Sequence, residues 1–335
     1  MKIENFVRII DGELRTSPPI DAFATIHLEA SRVTHGDLFI DVNNAREQVH
    51  EALSRGAYAI VTSLHFHDED EECAWIEVTS IEQALIKLLR YSITQKSLQL
   101  IVLSEIQEAL FEMIQTPPKQ YKRLRGDLYS MSKVLLNAKE NECFYISNHF
   151  LANKIAPSAK SVTSVLHVKP IVAKGLFLSS FWHQDSYYSD QKIPSFFVEE
   201  LLDLLRFCDE EKIAYTLEHL MFCEHFHPQF VTHALCKKEF GTSDKVLIFE
   251  PSASLFTRAL SYMKRHLEGQ KLLVCIPQSN RNLFSSHEYE TFFFQDANEL
   301  IGLNTMVFHY ALILGDKESF EVIYPKLFTT QPTLF

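Results

Sequence analysis

Glycine is scarce in this sequence. It fills 9 of 335 positions, less than half the level of about 7% usual in globular proteins. The glycines stand at 12, 36, 56, 126, 175, 241, 269, 302 and 315, and no two are closer than 13 residues. The motifs G-x-G-x-x-G and G-x-x-x-x-G-K-[ST] both need glycines within about five residues of each other. Both are therefore excluded, and with them the loops that cradle NAD or ATP phosphates. Clustered cysteine is missing too. The six cysteines, at 73, 143, 208, 223, 236 and 275, include no C-x-x-C and lack the density of a disulfide scaffold. They read as reduced thiols of a cytoplasmic protein. No apolar run approaches the roughly 18 residues of a membrane span, and the first residues lack the apolar core of a signal peptide. Basic residues are outnumbered, giving a net charge of −11. The densest basic stretch, Lys119 to Arg125, reads as a solvated loop. Nucleic acid and membrane are not expected partners, because phosphate contacts need a basic face.

What is present is an α/β pattern. Leu38 to Val42 is strand-like. Asn44 to Arg55 has helical spacing with Gly56 as its C-cap, and Ala57 to Thr62 follows as a buried strand. Trp75 to Val78 precedes a helix from Ser80 to about Tyr91. A strand over 98–103 leads into a helix over 105–115, stopped by Pro117-Pro118. Strands are also predicted at 143–146 and 164–168. Pro194 suits position N1 of a helix carrying Phe197, Leu201, Leu204 and Leu205 on one face. A strand at 245–250, a helix at 254–267 capped by Gly269, and a strand at 271–276 make a β-α-β unit and predict a second small parallel sheet. The acidic run 68–72 reads as a solvated loop tip. These shifts suggest three domains, over 1–95, 96–240 and 241–335.

The run Ala30-Ser31-Arg32-Val33-Thr34-His35-Gly36-Asp37-Leu38-Phe39, with Ala52 to Val61 downstream, resembles the N-terminal domain of the Mur ligases. The nearest kind are those that add amino acids or D-Ala-D-Ala to UDP-N-acetylmuramoyl peptides. The family pattern D-S-R-x-V-x-x-G-D-L-F is matched at Ser31, Arg32, Gly36, Asp37, Leu38 and Phe39. Ala30 replaces its first Asp, and Asn43 to Glu47 replaces its D-G-H loop. The resemblance implies a multi-domain α/β fold: a Mur-ligase-like N-terminal domain, a reduced central region and a small Rossmann-like C-terminal domain. It also implies that Ser31 and Arg32 contact a UDP-linked precursor. The G-x-x-G-K-T part of the family's T-G-x-x-G-K-T-T loop falls by register on Leu103 to Glu108. There Leu103 and Ile106 replace glycines, Ser104 lies between them, Gln107 replaces the phosphate-binding lysine and Glu108 the magnesium-binding threonine. Side chains at the glycine positions block backbone approach to a phosphate, and carboxylates repel it. The resemblance thus implies a degenerate homologue without ATP-dependent ligation. A plain strand-helix unit of an unrelated domain is the alternative. A fainter match runs from Phe249 through Ser252 to Leu260, where the family has N-A-N-P-x-S.

Histidine is plentiful, at 15 residues. His219, Cys223, His225 and His227, with His233 and Cys236 after them, are weak metal candidates: imidazole and thiolate suit zinc, but motif spacing is lacking. Packed structural histidines are the plainer reading, and no metal is expected. His65-x-His67 is a second weak candidate. Phe181 to Tyr188 reads either as a loop lining a ligand pocket or as a packed connection. Three functions stay open: a degenerate Mur-ligase-like protein binding a UDP-sugar precursor or a cell-wall partner protein; an enzyme of another class, with or without a metal, using 219–236 with His183 or Asp185; and an interaction protein without a small-molecule site.

Overall fold

A computed structural model describes residues 1–16, 18–66, 72–165, 169–218, 220–283 and 289–323. Two compact units emerge: Met1–Ser104 with Pro117–Val162, and Glu105–Thr116 with the chain from Thr163 onward.

The first unit opens with α1 (Ile3–Ile10) and a sheet of β1 (Glu13–Leu14), β2 (Ile26–His27), β3 (Leu38–Ile40), β4 (Ala59–Thr62) and β5 (Ala74–Glu77). Their order is β1-β5-β4-β3-β2, parallel except at β1. A parallel sheet covered on both faces needs continuous apolar strands, and β3 and β4 are buried throughout. Successive side chains point to opposite faces. Leu38, Ile40 and Val61 accordingly pack with Phe6 of α1 and with Leu85 and Leu88 of α3 (Ile81–Gln95). Phe39, Ile60 and Trp75 pack instead with Val49 and Ala52 of α2 (Arg46–Ser54). The Ser80 side chain caps α3 by accepting from the Gln83 amide at 3.3 Å, satisfying one of the orphan donors there. Gly56 ends α2 at φ +86°, where a Cβ would stand 2.9 Å from His35 Nδ1.

β6 (Gln99–Val102) is followed by α4 (Glu105–Ile114), which is counted in the second unit. With β7 (Tyr121–Arg123), β8 (Cys143–Ile146) and β9 (Lys160–Ser161), β6 forms an all-parallel sheet of order β7-β8-β6-β9. Met131 and Leu135 of α5 (Leu128–Leu136) and Ala152 and Ile155 of α6 (His149–Ile155) bury its apolar side.

In the second unit β10 (Val172–Lys174), β11 (Leu178–His183) and β12 (Ser186–Gln191) form an antiparallel sheet. The stretch 181–188, read as a loop, is therefore a hairpin. Its alternation buries Phe181 and leaves Trp182 and Tyr187 exposed. α7 (Ser195–Glu211) buries the predicted face of Phe197, Leu201, Leu204 and Leu205. Pro194 is its N-cap rather than N1, because its ψ of 146° is extended. The strand predicted at 164–168 is not formed at Ser164 and Val165, and 166–168 lie outside the described residues.

The last sheet holds β13 (His227–Val231), β14 (Lys245–Glu250), β15 (Leu272–Pro277), β16 (Glu290–Phe294) and β17 (Tyr310–Leu314), in the order β13-β14-β17-β15-β16. It is parallel except for β13. β14 and β15 are thus not neighbours, contrary to the simplest β-α-β reading. β17, apolar and buried from Ala311 to Leu314, lies between them. α8 (Ala253–His266) joins β14 to β15, and its C-cap is Leu267 in an extended conformation, so Gly269 falls two residues beyond the cap. α9 (Lys317–Ile323) follows β17. Among the described residues, no helix is long and apolar enough to cross a membrane.

Candidate functional site

The S-R segment is one short 3-10 turn, Ala30–Arg32, anchored by buried Ala30 and Val33. Asp37 fixes the chain around it. Its carboxylate accepts from the Thr34 amide at 2.9 Å, the Thr34 hydroxyl at 2.7 Å and the Thr25 amide at 3.1 Å, and it faces His27 Nε2 at 3.1 Å. Burial opposes ionisation, but the Thr34 hydroxyl and amide outweigh it and hold the Asp37 carboxyl below its ordinary range. The matched aspartate is therefore a structural tie.

That tie presents Glu29 and Arg32 to a cavity of about 250 Å³, lined also by Ile26, His27, Lys133 and Asn137. Ser31 is exposed beside this cavity and is not among its walls. Arg32 Nε lies 2.7 Å from Glu29 Oε2. Lys133 pairs with Glu29 Oε1 and sits over the Tyr129 ring, 4.2 Å from its centroid. The hydrogen bond to Lys133, helped by Arg32, outweighs a desolvation cost and lowers the Glu29 pKa. The same bond raises that of Lys133. Lys133 comes from α5 and completes the cation pair. Sequence reasoning missed it because nothing local in 119–170 marks it. A second cavity of about 250 Å³ shares Ile26, Leu136 and Asn137 with the first and is lined further by Phe23, Tyr91 and Lys96. Burial lowers the pKa of Lys96, whose ammonium donates to the Leu136 carbonyl at 2.7 Å.

At the position matched to the family's phosphate loop, only Leu103 and Ser104 separate β6 from α4. Leu103 and Ile106 are buried, as are Gln107 and Glu108 on the first turn of the helix.

In the histidine-rich segment, His225 and His227 face different partners. His219 lies outside the described residues. His225 Nδ1 donates to Glu250 Oε1 at 2.8 Å. Burial alone would lower the pKa of His225, but the hydrogen bond and charge of Glu250 overcome it, and the net shift is upward. His227 Nδ1 donates to the Cys223 carbonyl at 2.9 Å, and Lys317 Nζ donates to its Nε2 at 3.1 Å. Burial and the Lys317 charge lower its pKa. Burial pushes the Cys223 thiol up to about 12, which disfavours the thiolate a metal would need. Among the described residues no three His, Cys, Asp or Glu side chains are arranged to hold a metal ion. His65 pairs with Glu77 at 3.5 Å, and His67 is outside the described residues. His183 meets Asp209 at 3.2 Å and the Tyr215 hydroxyl at 2.9 Å. The sequence offered Asp185 as the alternative to His183 for work with the 219–236 segment, and the structure puts it in the exposed hairpin turn.

No protein-family model and no curated protein sequence matches the chain. Solved structures do. The MurF ligase of Thermotoga maritima, determined in complex with ADP, is similar over 90% of this chain and 97% of its own, with a TM-score of 0.59 at 12% identity. The UDP-N-acetylmuramoylalanyl-D-glutamyl-2,6-diaminopimelate–D-alanyl-D-alanyl ligase of Acinetobacter baumannii is similar over 96% of each chain, with a TM-score of 0.54 at 12% identity. The chain has the fold of the Mur ligases. That likeness carries the Mur-ligase-like multi-domain α/β architecture predicted from residues 30–61. At this identity the similarity is one of fold, and the chemistry has to be argued from the chain's own side chains.

Proposed function

We propose that this Mur-ligase-like chain binds a UDP-linked cell-wall precursor in the cavity of Arg32 and Lys133 and does not perform ATP-dependent ligation. The observation carrying the first part is the cation pair itself. Two side chains from distant segments converge on one cavity, beside the segment that matches the S-R motif. Guanidinium offers a planar fork and ammonium a point charge, and both suit a diphosphate. The solved relatives supply the chemical class, since the A. baumannii protein is named for a UDP-N-acetylmuramoyl substrate.

The second part rests on the junction after β6. A phosphate loop needs several residues whose amides surround an anion, and two residues between strand and helix leave no room for one. Gln107 brings no positive charge. Two like charges about 4 Å apart repel by roughly 4 kcal/mol at an effective dielectric near 20, so Glu105 and Glu108 disfavour a triphosphate there. The test is calorimetry with UDP, a UDP-N-acetylmuramoyl peptide and ATP. Binding of the uridine ligands and no heat with ATP is expected. Silence with both uridine ligands at millimolar concentration would sink the binding reading, and micromolar ATP affinity would sink the loss of ligation.

A further inference from the structure

The cavity already holds an anion of its own. Glu29 uses one carboxylate oxygen for Arg32 and the other for Lys133, so each cation is half-satisfied before any ligand arrives. We infer that Glu29 is a built-in competitor that reserves this cavity for ligands with at least two negative charges on adjacent groups. The inference rests on the UDP-linked reading and narrows it to the diphosphate portion.

Three features support it. First, the carboxylate bridges the two cations as a diphosphate would, one oxygen to each. Second, Lys133 has an anchor independent of Glu29, because the Tyr129 ring lies 4.2 Å beneath its ammonium and cation–π contact holds a lysine at such a distance. Lys133 therefore stays in place when Glu29 leaves. Third, Glu29 can leave by side-chain rotation alone, since its side chain keeps 31% of its surface in solvent. Its backbone neighbour Leu28 is buried and accepts from the Tyr129 hydroxyl at 3.4 Å, so the main chain need not move.

The consequence is selective. A tethered carboxylate has a high effective concentration at its own site. A free carboxylate or a monoanionic phosphate offers the cations no more charge than Glu29 does, and it must also be immobilised. A diphosphate brings at least twice the charge and can engage both cations while Glu29 turns to solvent.

The experiment compares the wild-type chain with Glu29→Gln, which keeps shape and removes charge, using calorimetry with inorganic pyrophosphate, UDP and orthophosphate. Pyrophosphate and UDP should bind the variant about 3- to 10-fold more tightly, the size of two exposed ion pairs lost to a competitor. Orthophosphate should gain by a larger factor than pyrophosphate. Glu29→Ala should behave likewise, and adding Lys133→Ala should cancel the gain. Unchanged or weakened binding of pyrophosphate and UDP in both Glu29 variants would overturn the competitor. If neither the wild type nor the variants bind UDP or pyrophosphate at millimolar concentration, the UDP-linked reading itself falls and the competitor with it.

Discussion

Glu29 and Glu250 are both carboxylates held by basic side chains, in opposite surroundings. Glu29 stands at the rim of a cavity, shared between Arg32 and Lys133 and partly in water. Glu250 ends β14 with no exposed surface. Its Oε1 takes hydrogen bonds from His225 Nδ1 and from the Ser252 amide at 2.9 Å, and its Oε2 takes one from the Phe226 amide at 3.0 Å. The Ser252 amide belongs to the N-terminal end of α8, where a negative charge is favoured. An exposed ion pair contributes little to stability but is exchangeable. A buried one cannot exchange, and breaking it leaves an uncompensated charge. The first arrangement suits a ligand site and the second a structural joint.

Removing the buried partner should have the largest effect. Glu250→Ala should destabilise the fold by about 3–5 kcal/mol, read as a lower urea midpoint. Glu250→Gln, which keeps an acceptor but loses the charge, should fall between. If both variants unfold like the wild type, the contrast between joint and site collapses. Asp37→Ala should come next, at about 1–3 kcal/mol, because it strands the Thr34 and Thr25 amides and hydroxyl in a closed turn. Denaturant titration would show this, accompanied by weaker ligand binding as the 30–36 segment loosens.

Arg32→Ala should show the reverse signature. Affinity for UDP should drop about 10-fold or more, as when a charge-assisted hydrogen bond is removed, while the melting temperature stays put. A large loss of stability would place Arg32 with the structural carboxylates instead.

The smallest expected effect is a pH dependence set by two histidines two residues apart. The folded pKa of His225 is raised. Its contribution is complete below the unfolded value near 6.5 and fades as pH rises through the folded pKa. The folded pKa of His227 is lowered, so its contribution is complete above about 6.5 and fades as pH falls through the folded pKa. The two oppose each other, so their joint contribution should peak near pH 6.5 and decline on either side. Between pH 6.5 and about 5, above the ordinary carboxylate range, melting curves of His227→Asn should lose the acid decline and keep the alkaline one. A decline over that range that survives in the variant would remove His227 as its source.

The sequence exposed those parts of the molecule that depend on local pattern. The apolar runs at 38–40, 59–61 and 74–76 mark buried strands because every residue there leaves water. The helices at 46–54, 81–95 and 195–211 show in their one-sided spacing. The S-R-V-T-H-G-D-L-F run led to the architecture later shared with the Mur ligases. Other features were hidden. Lys133, Asp209 and Lys317 are ordinary surface-type residues in sequence, and the partners Glu29, His183 and His227 that they meet lie 104, 26 and 90 residues away. The position of β17 was hidden as well, because a run of apolar residues says that a strand is buried but not between which neighbours.

Glycine scarcity, the buried strands, the amphipathic helices and the lack of a glycine-bearing phosphate loop are properties of the chain itself. Each follows from backbone geometry or from side-chain spacing within a few residues, where chemistry and sequence distance coincide. Tertiary structure alone decided that β17 fills the centre of the last sheet, that Lys133 joins Arg32 around Glu29, and that His225 and His227 part toward Glu250 and Lys317. Those outcomes depend on which distant surfaces must be buried together. That is settled by packing the whole chain, and no local spacing encodes it.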